Sequence, residues 1–132
     1  MVHRMIAAGL FPPPDYAHAA VIEAGERLAF MAGAVPLDGD GGLVGAGDHV
    51  AQTRQVIANL RTALEAVGSD LSRVLSTTVY VVADTPEALG RVWDVVRRSE
   101  LSAGPHASTL LGVSCLGYTG QLVEITAIAA VP

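Results

Sequence analysis

Lysine is absent from this sequence, and its eight basic residues are all arginines, at positions 4, 27, 54, 61, 73, 91, 97 and 98. Against 13 acidic residues they leave a formal net charge of −5. They form no cluster along the chain, and binding to a phosphate backbone needs concentrated positive charge, so no nucleic-acid partner is expected. A single cysteine, Cys115, excludes an intrachain disulfide and fits a reducing, cytoplasmic compartment. No apolar run approaches the ~20 residues that a membrane helix requires, so no membrane partner is expected either. Arg4, "MIAAGLF" and "AHA" at 17–19 loosely mimic a secretory signal, but the stiff, charged "PPPDY" between them argues against removal of a signal peptide. His3, His18 and His49 have no spacing that reads as a metal site, and no metal or organic cofactor is expected.

What the chain does have is apolar residues. They make up 51% of its 132 positions against 16% charged, with a mean hydropathy of +0.44. That length suits one domain over 1–132 with a single core. So few charges cannot cover an isolated surface, and an oligomer with a substantial buried interface is expected.

Helical periodicity appears twice. Over about 49–67, Val50, Ile57, Leu60, Leu64 and Val67 recur on one stripe between an Asp48 cap and a Gly68 stop. Over about 86–99, Thr85 is the expected cap and Pro86 the first helical residue. Leu89, Val92, Trp93 and Val96 lie on one face there, and Arg97 and Arg98 complement the C-terminal dipole. The other apolar stretches are short and rich in β-branched residues: a first strand at 5–10, then 18–24, 27–33, 73–83, 106–114 and 121–131. The order β-β-β-α-β-α-β-β describes an α+β chain whose mixed sheet carries both helices on one face. The other face has no helix left to cover it, and packing subunits against one another is the simplest cover.

In "QLVEITAIAAV" alternate residues share a face, so Leu122, Glu124, Thr126 and Ile128 oppose the uniformly apolar Val123, Ile125, Ala127 and Ala129. The apolar set belongs under the helices. Glu124 therefore falls on the open face, where a carboxylate serves either as a strand-end group bonded to backbone and solvent or as a partner of substrate and water. Trp93 reads as a packing residue, Tyr118 as an exposed loop tyrosine and Cys115 as a buried inert thiol.

The stretches "LAFMAGAVPLD", "QTRQVIANLRTALEAVGSDLSRVLSTTVYV", "P-H-A-S-T" and "LVEITAIA" resemble the RidA/YjgF family, also called the L-PSP endoribonuclease family, from about Tyr16 to Val131. The resemblance implies a chorismate-mutase-like α+β fold and a homotrimer with small-molecule clefts between subunits. It also implies cofactor-free hydrolysis of enamines and imines such as 2-aminoacrylate. Carried over by position, Glu124 matches the glutamate that positions or activates water and Tyr16 a pocket tyrosine. Gly33 matches a turn glycine, flanked here by Ala32 and Ala34 in place of serine and glutamine. In "P-H-A-S-T", Ser108 and Thr109 are retained among the substrate-binding positions, but the family's carboxylate-binding arginine falls on Ala107. His106, one residue away on a strand, is directed to the opposite face. Losing a bidentate guanidinium removes about two powers of ten of affinity for a carboxylate, which disfavours 2-imino acids and suits a larger or neutral ligand. Two functions follow, while the ribonuclease or translation inhibition that the family's older name suggests is disfavoured by the net charge of −5 and the scattered arginines. One is a hydrolase in which Glu124 is the general base toward water attacking a C=N or C=C bond; the other is a non-catalytic trimer that binds a metabolite or a partner.

Overall fold

The computed structural model describes residues 2–132 and contains six strands and two α-helices. These are β1 (Val2–Met5), β2 (Ala19–Ile22), β3 (Arg27–Ala34), α1 (His49–Ala66), β4 (Val74–Val82), α2 (Pro86–Arg97), β5 (Ala107–Val113) and β6 (Val123–Val131). Short 3₁₀ turns at Leu71–Arg73 and Glu100–Ala103 precede β4 and β5. The α+β order read from the sequence is the one observed. Four strands form a mixed sheet in the order β3-β6-β4-β5, with β4 and β5 parallel and β6 antiparallel to both its neighbours. β1 and β2 form a separate antiparallel pair.

The first strand lies at Val2–Met5 and not at 5–10. Residues after Met5 cannot continue it, because Gly9 has a φ of +87° in a turn closed by Leu10 N–H donating to Ala7 O, and Pro12, Pro13 and Pro14 offer no donors. Arg4 anchors this pair to the body of the fold. Its Nη1 donates to Val74 O (3.0 Å) and Pro105 O (2.7 Å), and its Nη2 to Ser72 O (2.8 Å). Gly104 leaves the room this requires, since a Cβ there would lie 2.4 Å from Nη2.

Asp48 caps α1 through its side chain, which accepts from Ala51 N. Gly68, at φ +81°, lets the chain leave that helix, and its N–H donates to Glu65 O. Thr85 starts α2 by its extended backbone and the following Pro86, without a side-chain cap bond. Both helices press one face of the sheet, where Val56, Leu60, Leu64, Val92 and Val96 meet Val79, Val81, Val123, Ile125 and Ala129 in the core. The alternation read in 121–131 is the one observed, with Val123, Ile125, Ala127 and Ala129 buried and Glu124, Thr126 and Ile128 half-buried on the open face. That face also presents Leu28 and, at 74% exposure, Phe30.

His106 is fully buried ahead of β5, its Nδ1 3.3 Å from Leu101 O, and burial pushes its pKa down to about 4. The neutral ring therefore contributes stability above pH 6.5, the value in the unfolded chain, and that contribution is lost as pH falls toward 4. The shift corresponds to about 3 kcal/mol. Urea midpoints measured from pH 7 to pH 4 should fall more steeply for the wild type than for His106→Asn. Identical slopes would show that this imidazole does not drive the acid transition.

Candidate active site

The open face arranges its side chains in rows set by strand register. Glu124 is level with Tyr80 and Leu111, Thr126 with Thr78 and Thr109, and Ile128 with Ser76 and Ala107. Ala107 and Thr109 thus share the face of Glu124. Ser108 does not. Its Oγ lies 2.8 Å from Oγ1 of Thr77, a buried residue on the helix-covered face, so the expected run of three binding residues is split between the two sides of the sheet.

Glu124 is seated by two neighbours. Gly33 on β3 supplies the space: a Cβ there would lie 2.3 Å from Glu124 Oε2, so only glycine leaves the carboxylate its place. Gln121, almost wholly buried, supplies the hold. Its Nε2 donates to Glu124 Oε1 (3.0 Å) and to Val123 O (3.1 Å), while its Oε1 accepts from Tyr118 N (3.1 Å). The same amide therefore fixes both the carboxylate and the loop before β6. Gln52 braces that loop from α1, donating to Gly120 O (3.0 Å) and Gly45 O (3.1 Å) and accepting from Leu122 N (2.7 Å). Neither glutamine stands out in the sequence; a polar residue within the helical stripe at 52 is the one signal that was there to find. Glu124 Oε2 has no hydrogen-bond donor among the described residues.

Tyr16 lies at the opposite edge of the sheet. Ala17 pairs with Ala107 in a parallel bridge, and Tyr16 packs edge-on to Trp93 (6.0 Å between ring centroids) and to His18 (6.3 Å). A cavity of about 270 Å³ opens there between Pro14, Tyr16, Trp93, Ser108 and Leu110. Trp93 packs against the core as expected, but it also walls this cavity and donates from Nε1 to Pro14 O (3.1 Å), holding the segment that carries Tyr16. Tyr118 is an exposed loop residue, as expected. Cys115 is exposed as well, contrary to its expected burial, because the loop after β5 carries it away from the core. Among the described residues no cation replaces the missing arginine: Arg4, which the fold brings beside Gly104 and Pro105, is occupied by three carbonyls.

Within one chain the expected residues therefore form three groups: Gly33 with Glu124, Ala107 with Thr109 on the open face of β5, and Tyr16 with Ser108 at the cavity beside Trp93. Thr109 and Glu124 are two strands and two residues apart, about 12 Å between their Cα positions by strand geometry, so their side chains do not meet directly within one chain. Among the described residues no group of three or more His, Cys, Asp or Glu is placed to hold a metal. No described helix is long and apolar enough to cross a membrane.

Residues 11–131 match the family model described as Endoribonuclease L-PSP. This chain belongs to the RidA/YjgF, or L-PSP endoribonuclease, family. Protein DfrA of Myxococcus xanthus is 37% identical over 114 residues, which cover 86% of this chain and 83% of that protein. A RutC family protein of Pyrococcus horikoshii is 41% identical over 70 residues, covering 53% of this chain and 55% of the relative. Among solved structures, YyfB from Yersinia pestis, a protein of unknown function of the conserved Rid family, superimposes with a TM-score of 0.88 at 30% identity over 98% of both chains. The RidA/YjgF fold thus accounts for the whole arrangement of two helices on a mixed sheet.

Proposed function

We propose that this RidA/YjgF protein is a hydrolase of small, neutral imines or enamines, with Glu124 as general base. The reading rests on the seat of Glu124: a carboxylate placed over a glycine, held at Oε1 by a buried amide, with Oε2 left unclaimed on an open sheet face. Water held at Oε2 attacks the C=N carbon, Glu124 takes the water's proton, and the nitrogen, protonated in turn, leaves as ammonia while the carbon becomes a carbonyl.

In this reading the substrate site lies between subunits of a homotrimer. Two features support this: the separation of the Tyr16–Ala107–Thr109 edge from Glu124 within one chain, and the uncovered Phe30 and Leu28 on the open face. A second chain that brings its β5 edge against the β3–β6 side of the first unites the β5 edge with Glu124, and such a head-to-tail contact closes into a ring of three when each step turns by a third of a circle. Light scattering should give the mass of three chains, and a monomer would remove the cleft. Ammonia release from the carboxamide of 2-iminopropanoate should be measurable in the wild type and fall to background in Glu124→Gln. Turnover that is equal in both would overturn the role of Glu124, and its absence in the wild type would favour a non-catalytic binding protein.

A further inference from the structure

Scattered in sequence, four of the eight arginines converge in space, against the expectation of no cluster. α1 and α2 lie side by side on the sheet as the connections between parallel strands β3, β4 and β5, so they run in the same direction. Arg54 and Arg61 are seven residues apart on α1, and Arg98, which caps the C-terminus of α2, follows Arg91 of that helix by seven. Seven residues are nearly two turns, so each pair lies on one helix face about 10 Å apart along the axis. The four guanidinium groups border a groove of about 450 Å³ between the helices, floored by aliphatic side chains that include Ile57 and Val95.

The acids within reach neutralise it only in part. Asp94 in the groove accepts from Arg97 Nε (2.8 Å), and that bond, with the charges of Arg97 and Arg98, holds its carboxyl below the usual range, so a fifth arginine takes most of its charge and Arg98 the rest. Glu100 accepts from Arg61 Nη2 (2.8 Å). Arg54, Arg91 and Arg98 carry no hydrogen bond or ion pair among the described residues, and Arg61 Nε is buried without an acceptor. Like charges gathered on adjacent helices repel one another, and a chain with a net charge of −5 gains nothing in solubility from gathering half of its cations there.

We infer that the α1–α2 groove is a binding site for a small organic phosphate with several anionic groups and an apolar or planar body, separate from the site of Glu124. Guanidinium pairs suit phosphate oxygens in bidentate geometry, the aliphatic floor suits the body, and the volume falls in the range of small-molecule pockets. An RNA strand is the less favoured occupant, because the four cations border a short groove and no basic track leads away from it.

Calorimetric titration of the full-length protein with adenosine triphosphate and with inorganic pyrophosphate tests this. The nucleotide should bind more tightly than pyrophosphate, and Arg54→Gln with Arg91→Gln should weaken it at least tenfold. Arg27→Gln and Arg73→Gln, outside the groove, should leave it unchanged. Arg54 and Arg91 are exposed, so the double variant is expected to fold, and its circular dichroism checks this. If that variant does not fold, Arg98→Gln, also on an exposed residue, carries the same test. No nucleotide binding at millimolar concentration, equal binding of the two probes, or equal loss in control and groove variants overturns the inference. So does tighter binding of a single-stranded oligoribonucleotide than of the mononucleotide.

Discussion

Gly33→Ala should lose imine hydrolysis about a hundredfold or more while leaving the urea midpoint close to that of the wild type. The added Cβ would stand 2.3 Å from Glu124 Oε2 and 2.8 Å from its Cδ, so the carboxylate has to swing away. What moves is the tip of a flexible side chain on a half-buried face, and Gly33 does not require a positive φ, so the fold loses little. The chemistry loses more. The displaced carboxylate breaks its bond to Gln121 Nε2 and no longer presents Oε2 where water would sit, and a positioned general base contributes about 10²–10⁴ in rate. The double variant Gly33→Ala with Glu124→Gln should be no slower than either single one, since both remove one device. Full activity in Gly33→Ala would mean that the position of this carboxylate is irrelevant to turnover.

Most of the architecture was legible because it is written in local periods. The stripe Ile57–Leu60–Leu64 and the alternation Val123–Ile125–Ala127 are consequences of 3.6- and 2-residue repeats, and the second puts Glu124 on the open face; Val67, read as the end of the stripe, caps the helix and is exposed. Errors arose where a residue's role depends on what lies across from it. Ser108 reads as part of one binding run with Ala107 and Thr109, yet on a strand its neighbours point the other way, and Thr77 claims its hydroxyl. The four arginines of the helical groove stand far apart in sequence; their seven-residue spacing in each helix is visible, but the parallel placement of the helices that joins the pairs is a property of the sheet order. Gln121 is silent in sequence because its function lies in three bonds made at once by one buried amide.

Ala107→Arg should raise hydrolysis of 2-imino acids such as 2-aminoacrylate by about two powers of ten in kcat/KM over the wild type. Ala107 is half-buried at the start of edge strand β5, on the face it shares with Ser76, Thr109 and Glu124, so an arginine there projects from the sheet edge toward the proposed cleft. Among the described residues no other cation serves this place: Arg4 is committed to Ser72, Val74 and Pro105 carbonyls, and His106 is buried on the far side and kept neutral by that burial down to a pH of about 4. A bidentate guanidinium–carboxylate pair in a partly dry site contributes about 3 kcal/mol, which is the hundredfold expected. The gain belongs to the carboxylate alone, so the neutral carboxamide of the same imine should gain nothing from the new arginine. Glu124→Gln placed in the Ala107→Arg background should erase the gain, because an oriented substrate still needs its water activated. Coupled detection of keto-acid release separates these outcomes. Fast 2-imino acid hydrolysis by the wild type, undiminished by Glu124→Gln, would place the reaction elsewhere in the molecule and make the alanine at 107 incidental.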